Sequence, residues 1–327
     1  MLEIVTPARL HLGILDTNGN LGRLYGSIGV AIQHPNVILR AAPAASLQVQ
    51  GLEAERVAAF ARRFLRYHRL ELGVRLELAA AIPRHIGLGS GTQLALAVGS
   101  ALAHLAGLDL SIPEIALAMG RGVHSGIGIN TFAAGGFVLD GGHAVESNPP
   151  DMQVAAAIPP LLVRQPFPED WRFVVIIPEI DPGLSGEKET SAFQVLPKAP
   201  PARVARLCRL LVMQMLPALF EHNIVEFGRA LTAIQRLVGA SFAPIQGGYF
   251  ADPLSDKLIN FLLAQGAAGA GQSSWGPTVY GLVAGQPAAD QLAASASDFL
   301  NALSHGQVFT VAPDNRGALL ISNQPAD

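Results

Sequence analysis

The sequence has little cysteine and little charge. Its 327 residues include one cysteine, Cys208, so neither an intrachain disulfide nor a cysteine metal cluster can form. Charged residues make up 14% of the chain and the net charge is −3, which gives no reason to expect a nucleic-acid-binding surface. The N-terminus lacks the basic stretch and apolar core of a secretory signal, and the most apolar stretch, residues 94–108, is shorter than a bilayer span. We therefore expect a soluble, cytoplasmic protein with neither a membrane nor a nucleic-acid partner.

Lysine is scarce as well. Three lysines stand against nineteen arginines, and no Gly-Lys pair occurs anywhere in the chain. A Walker A loop needs Gly-Lys followed by Ser or Thr, so that class of nucleotide site is excluded. The planar fork of arginine suits phosphate or carboxylate. A codon-driven bias in the source organism would produce the same excess of arginine.

Apolar residues, in contrast, make up 50% of the chain, which is ample for a large core and argues against disorder. The length suggests two domains, and the high apolar content makes a homodimer reasonable. A proline-rich stretch over residues 147–168 indicates the boundary, so we divide the chain into residues 1–160 and 161–327.

Hydrophobic periodicity and turn residues predict the elements. The strands are expected at residues 2–12, 37–39, 46–50, 74–79, 171–177, 278–283, 307–311 and 318–321. The helices are expected at residues 53–67, 92–108, 112–120, 186–193, 203–220, 224–238, 253–265 and 288–303. Ser111 and Glu114 form a capping-box pattern at the start of one helix, and Asp140-Gly141 predicts the turn of a β-hairpin.

A glycine-rich loop, residues 83–93, leads directly into the long apolar helix. Glycines there let a ligand approach the main chain, and unpaired N–H groups at a helix start favour an anion, most often a phosphate. The candidate phosphate-binding residues are Gly87, Leu88, Gly89, Ser90, Gly91, Thr92 and Gln93. A Rossmann fingerprint fits poorly, because Thr92 replaces its last glycine and Pro113 opens a new helix where a second strand is needed. A glycine-rich turn without a ligand remains the alternative.

Three segments resemble the motifs of the GHMP kinase superfamily. The loop from Pro83 to Gly91 reads Pro-x-x-x-Gly-Leu-Gly-Ser-Gly, residues 7–13 resemble the first motif, and residues 266–274 resemble the third. The resemblance implies an α+β fold with an N-terminal ribosomal-S5-type α/β domain and a C-terminal ferredoxin-like domain. Many of these kinases carry an aspartate in a Ser-Gly-x-Asp segment, where this chain has Gly128, and some carry a lysine in the first motif, where it has Arg9. The usual base for phosphoryl transfer is therefore absent.

One branch of the superfamily accounts for these departures. Residues 8–13, 82–93, 120–128, 135–143 and 271–278 resemble the β-ribofuranosylaminobenzene 5′-phosphate synthases. That resemblance implies an enzyme that joins phosphoribosyl pyrophosphate to 4-aminobenzoate or 4-hydroxybenzoate, forms a C-glycoside, and releases CO₂ and pyrophosphate. It also implies a place in tetrahydromethanopterin biosynthesis, a requirement for Mg²⁺ and no organic cofactor.

The motifs also suggest which residues act. The catalytic candidates are Arg9, His11, His85, Arg121 and His124. The candidates for substrate binding are Arg84, Ser125, Gln272, Ser273, Ser274 and Trp275. The candidates for metal binding are Asp16, Asp140 and Glu187, with Asp181 and Glu189 as further acids.

Simpler roles remain open for several of these residues. His11 would then be a surface residue, His124 a helix cap, Asp140 a turn residue and Trp275 a core residue. Glu187 and Glu189 would only favour a helix start through its dipole. Two other functions also stay open: an ATP-dependent GHMP kinase, and a ligand-binding sensor that has lost its chemistry.

Overall fold

The computed structural model describes residues 1–145, 157–181 and 187–322; within residues 187–190 only the backbone is described. Two antiparallel-rich sheets with helices packed against them make up this part of the chain, which confirms the predicted α+β class. No helix within it is long and apolar enough to cross a membrane.

The larger sheet is built around two long paired strands, β1 (Leu2–Asp16) and β2 (Arg23–Pro43). Its other members are β3 (Gln48–Gly51), β4 (Val74–Ala80), β5 (Phe137–Asp140), β6 (His143–Ala144), β7 (Leu161–Gln165) and β12 (Leu319–Ser322). The order is β12-β1-β2-β4-β3, and β5 pairs with the first half of β2 and with β7. Because β7 and β12 follow residue 160 in the chain but join this sheet, the division into two domains stays a prediction.

One prediction for this sheet is too short and another is wrong. Residues 37–39 lie in a strand as predicted, but the strand has 21 residues; its earlier part contains Gly26 and Gly29 and so lacks the expected alternation. The predicted hairpin at Asp140-Gly141 does not form, since β5 and β6 each pair with β2 and not with each other. Asp140 instead ends one short strand beside β2.

Four helices cover the larger sheet: α1 (Ala54–His68), α2 (Ser90–Leu105), α3 (Ile112–Ala118) and α4 (Ile127–Ala134). In α2 the residues from Gln93 to Ala103 are all buried, as expected for a helix that is apolar on every side. The Ser111–Glu114 capping box at the start of α3 is confirmed.

The smaller sheet has the order β11-β8-β10-β9 and is antiparallel throughout. Its strands are β8 (Trp171–Pro178), β9 (Gly269–Gln272), β10 (Val279–Ala284) and β11 (Gly306–Val311). The helices of this half are α5 (Glu187–Val195), α6 (Pro201–Leu210), α7 (Leu216–Phe220), α8 (Ile224–Gln246), α9 (Pro253–Ala264) and α10 (Gln286–Asn301). A π-helical turn, Leu211–Met215, separates α6 from α7 in what the sequence predicts as one helix.

Helix α8 joins the two sheets and extends eight residues beyond its predicted end at residue 238. The side chain of Gln235 donates to the carbonyl of Leu12 in β1 (2.7 Å) and accepts from the N–H of Gln272 in β9 (3.0 Å). Both contacts are buried, so α8 fixes β1 against the turn that follows β9. The candidate site lies at this junction.

Candidate active site

The first and third motifs meet the glycine-rich loop through Ser273. Its hydroxyl accepts from the N–H of His11 (2.9 Å) and donates to the carbonyl of Gly87 (2.7 Å). A Cβ added at Gly87 would collide with the carbonyl oxygen of Ser273, so only glycine allows this approach. Ser273 is fully buried and joins the two turns; it does not line the cleft described below.

Arg9 lies between the loop and the cleft. Its guanidinium donates to the carbonyl of Gly87, and its Cγ is 3.2 Å from the position a Cβ would take at Gly89. Its side chain also lines the cleft. Arg9 can therefore contact a ligand that reaches from the loop into the cleft.

The start of α2 is open to an anion. Gly89 precedes the helix with φ 86°, and no side chain of the described residues caps the first turn. The residues predicted to bind phosphate fall into two groups. Leu88 is buried in the core, and the buried Gln93 donates to the carbonyl of Gly128 (2.9 Å), so these two side chains hold the loop against the core. The first-turn N–H groups at Ser90 and Gly91, in contrast, remain available to a ligand.

Arginines surround this helix start. Beside Gly91 lie Arg56 of α1 and Arg121, which follows α3. Burial, followed by the charges of Arg56 and Arg63, lowers the pKa of Arg121 to about 10. The pKa of His85 is also lowered, first by burial and then by the charges of Arg84 and Arg56. Sequence motifs identified Arg84, His85 and Arg121, but Arg56 and Arg63 lie in α1, outside every motif.

A cleft opens on the other side of Arg9, with about 670 Å³ of empty space counted out to the solvent. Its lining residues are Arg9, His11, Gly13, Ile14, His124, Ser125, Phe193, Gln235, Val238, Gly239, Phe242, Gln246, Tyr249, Phe250, Gln272, Ser274 and Trp275. None of these is acidic. The predicted residues Arg9, His11, His124, Ser125, Gln272, Ser274 and Trp275 are thus brought together, whereas Arg84, His85 and Arg121 lie at the loop.

One wall of the cleft is aromatic. Trp275 packs edge-on against Phe242 (ring centroids 4.8 Å apart) and Phe193 (5.8 Å). Phe193 stacks on His124 at 4.2 Å, and Tyr25 approaches His124 edge-on at 5.4 Å. No motif pointed to Phe193, Phe242 or Tyr25. Phe193 lies in a helix that periodicity predicted, but the periodicity did not show which face meets the cleft. Phe242 lies beyond the predicted end of its helix at residue 238, and Tyr25 lies in a part of β2 that was not predicted.

Both histidines of the cleft are held neutral. Burial, with a smaller effect from the charge of Arg9, lowers the pKa of His11 to about 3. Burial and the nearby His143 lower the pKa of His124 to about 4. The Nε2 atom of His11 lies 3.2 Å from the hydroxyl of Ser125, which also accepts from the N–H of Ile127 (3.2 Å). Neither ring is poised to carry a positive charge near neutral pH.

Asp140 holds the turn that carries Ser125. Its buried carboxylate accepts backbone N–H groups from Ser27 (3.2 Å), Gly126 (2.9 Å) and Gly142 (2.9 Å). Burial raises the pKa of this carboxyl to about 6, against the opposing effect of these hydrogen bonds. Asp140 thus joins β2, the Ser125–Gly126 turn and the turn after β5.

Main-chain N–H groups engage two of the carboxylates predicted as metal ligands, Asp16 and Asp140. Asp16 accepts the N–H groups of Asn18 (2.6 Å) and Gly19 (3.0 Å), and both oxygens of Asp140 are engaged as above. The side chains of Glu187 and Glu189 lie outside the described residues. Among the residues whose side chains are described, no cluster of three histidines, cysteines or acids could hold a metal ion. The Mg²⁺ requirement stays a prediction.

The position of the missing kinase acid is tightly packed. Gly128 lies in the first turn of α4, where an added Cβ would lie 3.0 Å from Cγ2 of Thr92. A larger side chain there would require Thr92, at the start of α2, to shift by a few tenths of an ångström. The sequence supplies no carboxylate at this position, and the packing leaves little room for one.

Comparison with known proteins agrees with this geometry. The GHMP kinases N terminal domain family matches residues 55–136, and the GHMP kinases C terminal family matches residues 215–302. The chain is 34% identical to the beta-ribofuranosylphenol 5′-phosphate synthase of Methanothermobacter thermautotrophicus over 98% of both chains. It is 37% identical to the protein of that name from Archaeoglobus fulgidus over 86% of this chain and 88% of the relative. Mevalonate diphosphate decarboxylase from Staphylococcus aureus shares the fold, with a TM-score of 0.69 and 12% identity over 98% of this chain and 99% of that one.

Proposed function

Because this chain belongs to the β-ribofuranosylphenol 5′-phosphate synthase family of the GHMP kinase superfamily, we propose that it transfers the phosphoribosyl group of phosphoribosyl pyrophosphate to a 4-substituted benzoate. The acceptor we favour is 4-hydroxybenzoate, since its loss of CO₂ gives the phenol in the relatives' name; 4-aminobenzoate is the alternative. The observation that carries the proposal is the whole-length identity to these synthases, joined to a site in which Arg9 connects an anion-binding loop to an aromatic cleft.

The proposed reaction balances without a proton donor or a proton acceptor. The bond from ribose C1 to pyrophosphate breaks, and its electron pair leaves with the pyrophosphate. The ring carbon that bears the carboxylate attacks C1 and forms the new C–C bond. The bond from that carbon to the carboxylate then breaks, its electrons restore the aromatic ring, and CO₂ leaves. No net proton transfer is needed, which fits a cleft that has two neutral histidines and, among the described residues, no acidic lining residue.

The loop, the aromatic wall and Arg9 would each bind a different part of the substrates. The first-turn N–H groups of α2 would stabilise the negative charge that grows on the leaving pyrophosphate. The aromatic wall formed by Phe193, Phe242 and Trp275 would hold the ring. Arg9, between these regions, would hold the benzoate carboxylate near ribose C1, because its planar fork suits a carboxylate. Since the aromatic carbon is a weak nucleophile, this positioning is the main contribution of the cleft.

A labelled-substrate assay tests the proposal. The protein is incubated with phosphoribosyl pyrophosphate, Mg²⁺ and carboxyl-labelled 4-hydroxybenzoate or 4-aminobenzoate, and labelled CO₂ is measured with and without a chelator. We expect CO₂ and pyrophosphate in equal amounts, faster with 4-hydroxybenzoate. Release of ADP from ATP and an alcohol, without labelled CO₂, would show a kinase instead. Binding of the substrates without turnover would show a sensor. The cytoplasmic location, the homodimer and the place in tetrahydromethanopterin biosynthesis remain parts of this proposal.

A further inference from the structure

The strongest feature outside the three motifs is the pair of arginines at the start of α2. Arg56 lies in the first turn of α1, and Arg121 follows the C-terminal end of α3. Measured from the position that a Cβ would take at Gly91, Nη2 of Arg56 is 3.3 Å away and Nη1 of Arg121 is 3.4 Å away. The two guanidinium groups therefore meet over the first turn of α2 because Gly91 has no side chain.

We propose that Arg56 and Arg121 bind the pyrophosphate group of the donor substrate, so that the leaving-group site consists of two arginines and the glycine-rich loop. This rests on the function proposed above, and it adds a residue from α1 that no motif contains.

The positive charge of this region is poorly balanced. Glu53 pairs with Arg56 at 2.6 Å, and neither Arg121 nor Arg63 forms an ion pair with a carboxylate of the described part of the chain. The Nε atom of Arg121 is buried and has no acceptor among the described residues. Arg84 adds its charge on the same side of the loop, where it helps to lower the pKa of His85. Partly buried guanidinium groups this close repel one another, and a bound anion, best a polyanion, would relieve that repulsion.

The two guanidinium groups differ in how they are held. Phe60 lies beneath both, with ring centroid distances of 5.7 Å to Arg56 and 5.1 Å to Arg121. Arg56 is also paired with Glu53, whereas Arg121 forms no ion pair within the described residues. Arg63 donates to the carbonyl of Ala118 (2.9 Å) and lies against Gly120, so it supports the chain that precedes Arg121. The charge of Arg121 is therefore left for a ligand, and that of Arg56 is shared with Glu53.

The arrangement favours pyrophosphate over a single phosphate. One phosphoryl group can accept the first-turn N–H groups of α2, while the second reaches the paired guanidinium groups beside Gly91. The 5′-phosphate of the donor offers the same chemistry, so the test must separate the two groups. Inorganic pyrophosphate and ribose 5-phosphate, each bound alone, represent the two ends of the substrate.

Binding is measured by calorimetry on the full chain with inorganic pyrophosphate, ribose 5-phosphate or ADP, each with MgCl₂. The variants are Arg56→Gln and Arg121→Gln, with Arg62→Gln as the matched control because Arg62 is an exposed arginine of the same helix. We expect each of the first two to weaken pyrophosphate binding by roughly tenfold or more, as for a lost charge-assisted hydrogen bond, and to leave ribose 5-phosphate binding unchanged. The control should bind both as the unaltered protein does.

Several results would overturn this assignment. Unchanged pyrophosphate binding in both variants, or a loss confined to ribose 5-phosphate, would show that the arginines serve another group. Tighter, arginine-dependent binding of ADP than of pyrophosphate would show a nucleotide site. Arg121→Lys serves if Arg121→Gln does not fold, because lysine keeps the charge but not the fork and should still weaken binding. If pyrophosphate binding depends on the two arginines but no CO₂ is released, only the synthase proposal is wrong. If CO₂ is released but pyrophosphate binding does not depend on the arginines, only the arginine site is wrong.

Discussion

The loop and the cleft lie on opposite sides of Arg9 and differ in nearly every property. The loop is bordered by arginines, and its main chain depends on glycine at Gly87 and Gly89. Within the described residues, no side chain caps the helix that follows it. The cleft has an aromatic wall, two histidines held neutral by burial and no acid among its described lining residues. One region is built to stabilise negative charge and the other to hold a flat apolar ring.

This difference shows how a kinase fold can serve a reaction without a base. The glycine-rich loop provides a phosphate-binding site, which a phosphoryl-transfer enzyme and this synthase both need. Gly128 stands where many GHMP kinases carry an acid, and Thr92 at the end of the loop packs against it. Substitutions in one region should therefore leave the function of the other region unchanged.

The largest effect is expected from Gly89→Val in the loop. Gly89 has φ 86°, and a Cβ there would press on the side chain of Arg9, so both the main chain and the arginine must shift. We expect kcat/KM to fall by a factor on the order of a thousand, because leaving-group stabilisation is lost, while the fold is largely retained. Steady-state kinetics and circular dichroism measure the two quantities.

The control is Gly107→Val, just beyond the other end of the same helix. Gly107 also has a positive φ, 67°, but no atom of the described part of the chain lies within 4 Å of its added Cβ. It should lose similar stability and keep its activity. Full activity of Gly89→Val would contradict phosphate binding at the loop.

The second largest loss of activity is expected from a change at Asp140, which connects the Ser125–Gly126 turn to β2 of the larger sheet. Asp140→Asn places an amide where three N–H groups need an acceptor, so the Ser125–Gly126 turn should move and kcat should fall roughly ten- to a hundredfold. In the unaltered protein, activity should fall as the pH drops through about 6, because the carboxyl takes up a proton there. The variant should lack this acid limb in its pH profile.

Stability should respond to Asp140 in the opposite direction. Its folded pKa of about 6 lies above the usual value of 3.8, so the folded chain binds this proton more tightly than the unfolded chain. The stabilisation is therefore fully present below pH 4 and is lost as the pH rises through 6, by roughly 3 kcal/mol. Denaturant titrations between pH 4 and 7 should show this slope in the unaltered protein and a flatter one in Asp140→Asn. Equal slopes would contradict the raised pKa.

Phe193→Ala separates the two substrates. It removes one aromatic wall of the cleft and the ring that stacks on His124. Because an aromatic pair contributes up to about 1.5 kcal/mol, we expect the KM of the benzoate to rise about tenfold while the KM of phosphoribosyl pyrophosphate stays unchanged. Phe220→Ala is the control, since that ring is 58% exposed and lies outside the cleft. A rise in both KM values would show that the cleft does not bind the ring alone.

The two regions also differ in how far the sequence predicted them. The loop is a local feature: its glycines, the helix that follows and the capping box at Ser111 all depend on residues a few positions apart. The aromatic wall depends on how α5 and α8 lie against β9, and no local pattern encodes which face of a helix meets a distant turn. Asp140 illustrates the same limit. Its Asp-Gly sequence favours a hairpin turn, but long-range pairing with β2 determined its role.

The smallest effect is expected from Ser125→Ala, which tests whether the neutral His11 needs its hydroxyl partner. The change removes the 3.2 Å contact to His11 and the acceptor for the N–H of Ile127. A neutral hydrogen bond contributes about 1 kcal/mol, so kcat/KM should fall only about fivefold, with pyrophosphate binding unchanged. Ser111→Ala is the matched control: it removes a helix cap far from the cleft and should cost about 1 kcal/mol of stability without changing the rate. If Ser125→Ala instead lost activity as severely as the loop variant, then the hydroxyl would take part in the chemistry itself. The cleft would then contribute to catalysis as well as binding the ring, and the contrast between a charged loop and a cleft that only positions the ring would be wrong.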